Sequence, residues 1–420
     1  VKGIACTTCG VCTKDPEVAA LQDHLIYGLQ SMAVFAHRAL AAGKTIPKEI
    51  DMFTSMATFA TLTNVNFQPD DFELTVYGIK GVAAYLFHAM ELGQDGAEVC
   101  KYFYKAYATL HEDKDPQIGT LLALALECGE ANLKAMELLD AAHTGHFGHP
   151  EPTTIAWHKE ANTPAPGKAI LVSGHDLLAL ERLLEQIQAN GGGISAYTHG
   201  EMLPAHGYPG LKKFAPLLAG HYGTAWQNQK KEFAAFPGPI LMTTNCYIPA
   251  PPTYVDRVYS LEPVGGVSVT RTVSKDYSNI IKCARECPGF TEGKPCPTKL
   301  TVGFARNTVL GAAGTVLGAV KAGELRRIVL IGGCDGFEKE RNYYTEVAER
   351  LPTDTLILTL ACGKFKINGR DYGTLGSTGL PRLLDMGQCN DAYSAIQVAI
   401  ALAKALGTDV NSLPLSLVLS

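Results

Sequence analysis

The chain has 420 residues, is 46% hydrophobic and 18% charged, and carries a formal net charge of −5. That length and apolar content build two or three domains with large cores, and the mild acidity leaves no electrostatic footprint for nucleic acid. No run approaches the ~20 apolar residues of a membrane helix, and the opening VKGIACTTCG is not a signal peptide. Twelve cysteines are too sparse for a disulfide scaffold and many for a cytosolic enzyme. With no export signal, metal or redox duty in the cytoplasm is expected.

The first residues hold CTTCGVC, with Cys6, Cys9 and Cys12. This C-x2-C-x2-C spacing lets a tight loop aim three thiolates at one iron–sulfur group, though three ligands leave a cubane one short. The missing initiator methionine and the end LPLSLVLS, inside an apolar run, read as a processed or truncated chain.

Asp15-Pro16-Glu17 starts a helix predicted from about Pro16 to Ala42, with Val18, Leu21, Leu25, Leu29 and Met32 on one face and Gly43 closing it. A second helix is predicted from about Pro47 to Leu62. LIYGLQSMAVFAHRALAAG at 25–43 then recurs as TVYGIKGVAAYLFHAMELG at 75–93, and ATL at 60–62 recurs at 108–110. The repeat of about 50 residues predicts two helical hairpins packed on each other. A further helix is predicted from about Ile118 to Ala142. His143, His146 and His149 follow at metal-like spacing but read as part of a Gly/Pro-rich loop, and WHKEANTPAPGK reads as an interdomain linker.

The pattern changes at Lys168. KAILVSGHDLLALERLLEQIQAN reads as strand, turn and helix, with His175 at the junction and Asp176 as a cap. GISAYTHGEMLPAHGYPG is a strand running into a loop that carries His199 and Glu201. PGPILMTTNCYIPAPP is a third, ending at Asn245 and Cys246. Cys283, Cys287 and Cys296 lie in CARECPGFTEGKPC, where the x3 spacing suits zinc but no histidine supports it, and the stretch reads as a loop. No Rossmann or Walker glycine motif is present.

Between Arg326 and Ser394 three cysteines recur in matching settings. Cys334 in RRIVLIGGCDG and Cys362 in DTLILTLACGKFK each end a buried apolar run beside glycine. Cys389 in DMGQCNDAYS precedes Asn390 and Asp391, which cap a helix predicted from about Ala392 to Ala405. Spaced 28 and 27 residues apart, they are expected to converge where parallel strands end. Thiolates in such places are stabilised by backbone N–H groups and bind metal.

The strings GVCTKDPEVAALQD, VSGHDL, YTHGEMLPAHGYP, PGPILMTTNC, IGGCDG, YYTEVAERLPTDTLILTLACGK, GLPRLLDMGQCNDAYS and LPLSLVLS, in this order, resemble the hybrid-cluster (prismane) proteins over nearly the whole chain. The resemblance implies a multidomain α and α/β fold: a helical bundle over 1–157, then two Rossmann-like parallel-sheet domains over 158–307 and 308–420, the last C-terminally incomplete. It implies a 4Fe-4S cluster near the N-terminus and a hybrid 4Fe-2O-2S cluster ligated by His175, Glu201, Cys246, Cys334, Cys362 and Cys389. Cys334 would carry an extra sulfur as a persulfide. Soft thiolates suit the iron–sulfur half of such a group, and imidazole and carboxylate suit iron that exchanges oxygen ligands.

Three departures stand out. The family's leading C-x2-C pair is absent, with Cys6 and Cys12 matching its C-x5-C pair and Cys9 extra. The stretch between Phe67 and Thr75 is short, as in a compact subgroup, and the family's last cluster ligand, a glutamate, follows LPLSLVLS.

The activity implied is reduction of hydroxylamine to ammonia and water, or of nitric oxide to nitrous oxide, with His175, Glu201 and Cys334 catalytic. His199 would supply a proton or orient Glu201. Electrons would come from an external reductase or ferredoxin, since no flavin or nicotinamide motif is present. Two other readings stay open: a nickel–iron carbon monoxide dehydrogenase-like enzyme, and a nitric-oxide sensor that passes nitrosyl groups to partner thiols.

Overall fold

The structure is a computed structural model that describes residues 16–62, 71–159, 164–244, 246–261, 272–293, 298–337 and 339–420. Cys6, Cys9, Cys12 and Cys296 lie outside the described residues. The chain divides into two compact units, one of 1–143 with 242–275 and the other of 144–241 with 276–420.

The first unit is built on α1 (Pro16–Ala41), α2 (Lys48–Phe59), α3 (Asp71–Glu91), α4 (Ala97–Glu112) and most of α5 (Ile118–Phe147). The internal repeat is visible in its core. Leu29 and Ala33 of α1 and their counterparts Ile79 and Ala83 of α3 are all buried in one cluster. Gly43 and Gly93, also counterparts, both adopt left-handed backbone after their helices, which only glycine does without strain. The hairpins trade partners: α1 packs along α4, and α2 along α3. Each repeat thus covers the apolar stripe that the other leaves open.

In chain order the strands are β1 (Thr153–His158), β2 (Lys168–Ser173), β3 (Ile194–His199), β4 (Leu218–Tyr222), β5 (Ile240–Met242), β6 (Val258–Leu261), β7 (Thr272–Val273), β8 (Lys299–Val302), β9 (Arg327–Gly332), β10 (Thr355–Leu360), β11 (Leu383–Asp385) and β12 (Leu415–Leu419). In the first unit β6 pairs with β7. In the second, the larger sheet runs β5-β2-β3-β4-β1-β8. β2, β3, β4 and β1 are parallel, and β8 returns antiparallel on β1. The smaller sheet, β11-β10-β9-β12, is parallel throughout. Continuous apolar runs explain this: every residue of TLILTL in β10 is buried, as a parallel strand covered on both faces requires.

Three readings are corrected. His143 and His146 are not in a loop, because α5 runs through Gly145 to Phe147 and ends at Gly148, which turns left-handed. Trp157 and His158 are not linker, because both pair with β4 and the Trp157 N–H donates to the Thr298 carbonyl. Cys283 lies on the helix Ser278–Glu286, and Cys287 caps it.

One device recurs where the strands end. His175, Glu201, Cys334 and Cys362 each sit two residues beyond the last residue of β2, β3, β9 and β10. The residue between strand and side chain has positive φ every time: Gly174 at 105°, Gly200 at 55°, Gly333 at 113° and Ala361 at 60°. A left-handed residue reverses the chain sharply and lifts the next side chain off the strand axis. Ala361 is the only non-glycine of this kind among the described residues. With ψ at −170° it lies in a region that costs a Cβ-bearing residue about 1–3 kcal/mol. Ala361→Gly is therefore expected to be neutral or stabilising by up to ~2 kcal/mol after glycine's extra chain entropy. Gly333→Ala is expected to destabilise. Denaturant unfolding of the metal-free chain checks both, and an Ala361→Gly loss as large as that of Gly333→Ala would deny the strain.

Candidate metal centre

The side chains that follow β2, β3 and β11 meet. His175 Nε2 is 3.3 Å from Cys389 Sγ and 4.0 Å from Glu201 Oε2. The backbone N–H of Cys389 donates to Glu201 Oε2 at 2.8 Å. One donor atom from each of the three residues lies within 4.8 Å of the others. The sequence brings them there by local means. Asp176 caps the helix Leu177–Ala189 through the Ala179 N–H, which fixes the turn holding His175. Glu201 enters a short 3-10 helix, Gly200–Gly207, straight from β3. Cys389 opens another, Cys389–Asp391, which runs into the helix Ala392–Leu406.

Glu201 is buried, and its Oε1 has no hydrogen-bond partner among the described residues. Burial pushes its carboxyl up to about 7, against the opposing pull of the Lys364 ammonium, the Cys389 N–H and the nearby Cys362 thiol. A buried carboxylate oxygen with nothing to accept from is costly unless a cation takes it. Imidazole, carboxylate and thiol in one group are a donor set for iron or zinc.

Cys362 is buried and lies close enough to Glu201 to influence its charge. Cys334 keeps an exposed face. The protein around it still desolvates the thiol and, with Glu201 and Asp335, pushes it up to about 12. Neither cysteine joins the 4.8 Å group, so the expected convergence of three cysteines on one point is partial: Cys389 meets His175 and Glu201, and the other two flank Glu201. Cys246 is buried, four residues past β5, and belongs to the first unit.

A polar layer beneath the centre escaped the sequence reading. Lys364 is fully buried; its Nζ donates to Asp385 Oδ1 at 2.8 Å and to the Gly387 carbonyl at 2.6 Å. Burial pulls its pKa down, but Asp385 and Glu201 outweigh this and hold it above the ordinary value. Asn368 donates to the other oxygen of Asp385 at 3.0 Å. The signal was present in the sequence: a lysine two residues after Cys362 and an aspartate four before Cys389, both inside apolar stretches that leave a charge no place but a pair.

His199 takes neither role expected of it. Its Nδ1 bonds Ser173 Oγ at 3.0 Å and its Nε2 bonds Glu232 Oε2 at 2.9 Å, so both ring nitrogens are occupied away from Glu201. His146 pairs with Glu181 at 2.7 Å. The Cys283 and Cys287 sulfurs are 3.9 Å apart, one helical turn along the chain. Among the described residues no helix is long and apolar enough to cross a membrane.

The profile of the Prismane/CO dehydrogenase family matches residues 2–76 and 72–420. Curated relatives include a hydroxylamine reductase of Solidesulfovibrio magneticus, 46% identical over 481 residues, with 100% of this chain and 87% of the relative covered. A hydroxylamine reductase of Thermodesulfovibrio yellowstonii is 46% identical with 99% and 87% covered. The matched 481 residues exceed the 420 of this chain, so these relatives carry internal segments that it lacks. Among solved structures, a nickel-free carbon monoxide dehydrogenase from Thermococcus sp. AM4 superimposes with a TM-score of 0.60 at 15% identity, covering 98% of this chain and 76% of that one. Carbon monoxide dehydrogenase IV from Carboxydothermus hydrogenoformans gives the same TM-score of 0.60 with 97% and 78% covered. Those likenesses are of fold. By profile and by full-length identity, the chain belongs to the prismane/CO dehydrogenase family of iron–sulfur oxidoreductases.

Proposed function

We propose that the chain reduces hydroxylamine to ammonia and water, and nitric oxide to nitrous oxide, at a hybrid 4Fe-2O-2S cluster. The observation that carries this is the meeting of His175, Glu201 and Cys389 with a buried Glu201 oxygen that has no hydrogen-bond partner among the described residues. The name hydroxylamine reductase on relatives that match the full chain supports the substrate. His175, Glu201, Cys334, Cys362 and Cys389 are the proposed ligands in the second unit. Cys246 joins them on the resemblance alone, as do Cys6, Cys9 and Cys12 for a second, 4Fe-4S cluster.

When bound, the cluster supplies electrons and Lewis acidity to an N–O bond. The chain's own residues do the rest. The His175 imidazole and Glu201 carboxylate would hold iron of the kind that exchanges oxygen or nitrogen ligands, and the cysteine thiolates would hold the softer iron–sulfur part. Cys334, which stays exposed, is the proposed carrier of an extra sulfur. Reduction of hydroxylamine consumes two electrons and two protons, and the electrons are proposed to come from an external reductase or ferredoxin.

The test is metal analysis with EPR on anaerobically purified protein, followed by turnover with a reduced dye. The expected result is a multi-iron signal beyond a simple cubane, no nickel, and hydroxylamine-dependent oxidation of the dye. Glu201→Gln and His175→Ala are each expected to lower turnover by at least about 100-fold, at the upper end of what metal-site substitutions cost. Bound nickel would point to carbon monoxide dehydrogenase chemistry. Nitrosyl transfer to a partner thiol without turnover would point to a sensor.

A pH dependence follows from Glu201. Its carboxyl titrates near 7 in the folded, metal-free chain and near the ordinary 4.5 once unfolded. Between these values the native state holds a proton that the unfolded state has released, so stability falls as pH rises. The contribution is complete below the lower value and gone above the higher one. Metal-free wild type is expected to lose stability relative to Glu201→Gln between about pH 5 and about pH 8 in denaturant titrations. An opposite slope would mean that the carboxyl is not desolvated.

A further inference from the structure

Gln388 lies between Gly387 and Cys389 and is almost wholly buried. Both ends of its amide are engaged. Nε2 donates to the His175 carbonyl at 3.0 Å and to the Glu201 carbonyl at 2.8 Å. Both partners only accept, which fixes the nitrogen on that side. The amide oxygen accepts from the backbone of Asp391, whose own carboxylate accepts from the Gln388 N–H at 2.6 Å. One side chain therefore ties the backbone of two donors, from β2 and β3 of the larger sheet, to the neighbour of a third donor, which follows β11 of the smaller sheet. A parallel link exists at Gln227, in the short helix Trp226–Asn228, whose Nε2 donates to the Cys334 carbonyl at 2.8 Å.

We propose that Gln388 is the positioning residue of the metal centre, keying the two sheets together so that His175 and Glu201 face Cys389. This rests on the reading of the centre given above. Without the two donated bonds, nothing else in the Gln388 side chain prevents the turns after β2 and β3 from drifting away from Cys389. The 3.3 Å and 4.0 Å separations across the group are the distances that such drift would lengthen.

The test uses the metal-free full chain titrated anaerobically with Co2+, read by the thiolate-to-cobalt absorption that Cys389→Ser removes. Gln388→Met loses all the amide's bonds. Gln388→Glu keeps an oxygen for the Asp391 N–H and loses the paired donors. Both are expected to fold, by far-UV circular dichroism, and to bind Co2+ about 10–100-fold more weakly at the Cys389-dependent site. The iron-loaded variants are expected to show an altered EPR signal. Leu180→Ala, a buried truncation on the helix Leu177–Ala189, serves as a control for lost stability and is expected to bind Co2+ like wild type.

Wild-type affinity in both Gln388 variants overturns the inference and leaves the metal centre standing. Equal weakening by Leu180→Ala also overturns it, as does failure of both Gln388 variants to fold, since the amide would then serve the fold and not the centre. Absence of any Cys389-dependent band in wild type defeats the underlying reading instead.

Discussion

The arrangement depends on the left-handed residue placed between a strand and the side chain it presents. A parallel strand buried on both faces has no direction in which to offer a ligand, because its side chains point into the layers above and below. The ligand must come from the residues just past the strand, and the chain must turn at once to keep them at the sheet edge. Gly174, Gly200, Gly333 and Ala361 make that turn. Because β9 and β10 are neighbours in register up to Gly332 and Leu360, the same turn on each places Cys334 and Cys362 side by side at one edge. The β2–β3 pair, in register to Ser173 and His199, does the same for His175 and Glu201. Two adjacent strands with one turn between them specify two donors without any long-range search.

The turn after β11 is longer, with Cys389 four residues beyond Asp385, and needs other support. It receives it from below. The Gly387 carbonyl accepts from Lys364 Nζ and from the Ala361 N–H, and the Gly387 N–H donates to Asp385. An ammonium removed from water costs several kcal/mol unless it is paired and its other protons are bonded. Asp385 and the Gly387 carbonyl meet that condition, so the charge can sit directly under the turn. Removal of either charge would leave the other buried without its hydrogen-bonded partner, at a typical cost of about 3–5 kcal/mol. The pair is thus as much a part of the turn's conformation as its glycine, and it fixes the route of the chain between Cys362 and Cys389.

Sequence patterns carried the layout well and the supporting layer poorly. The strand runs before Cys334 and Cys362, the cap at Asp176, the repeat of the first helices and the change of character near Lys168 all depend on nearest-neighbour periodicity, which a single chain displays. What a run of residues does not display is which charged side chain finds a partner across the fold. Lys364, Asp385, Gln227 and Gln388 belong to that class, since their partners stand on other elements. His143 and His146 failed for a different reason. Glycines within HTGHFGHP read as breakers, yet a helix already packed over many turns passes through Gly145 at a cost of only about 1 kcal/mol. His199 failed because its partner, Glu232, is 33 residues away and on another element.

The donors proposed in the second unit are also sorted by sheet. Imidazole and carboxylate come from the larger sheet, and the thiols of Cys334, Cys362 and Cys389 come from the smaller one. Each set is rigid within its own sheet, because parallel ladders hold neighbouring strand ends in fixed register. The distance between the two sets is not fixed by either ladder. It is set by what crosses between the sheets: the apolar cluster of Trp157, Leu203, Leu300 and Val302 with Cys362 and Phe365, the Phe304 N–H to the Asp385 carbonyl and, nearest the donors, the Cys389 N–H to Glu201, the Gln388 amide to His175 and Glu201, and the Gln227 amide to Cys334. A centre of the proposed donors would have hard and soft sets that are each preorganised, joined near the donors by hydrogen bonds. Such bonds are directional enough to set geometry and weak enough, at about 1 kcal/mol net apiece, to be altered one at a time without dismantling either half.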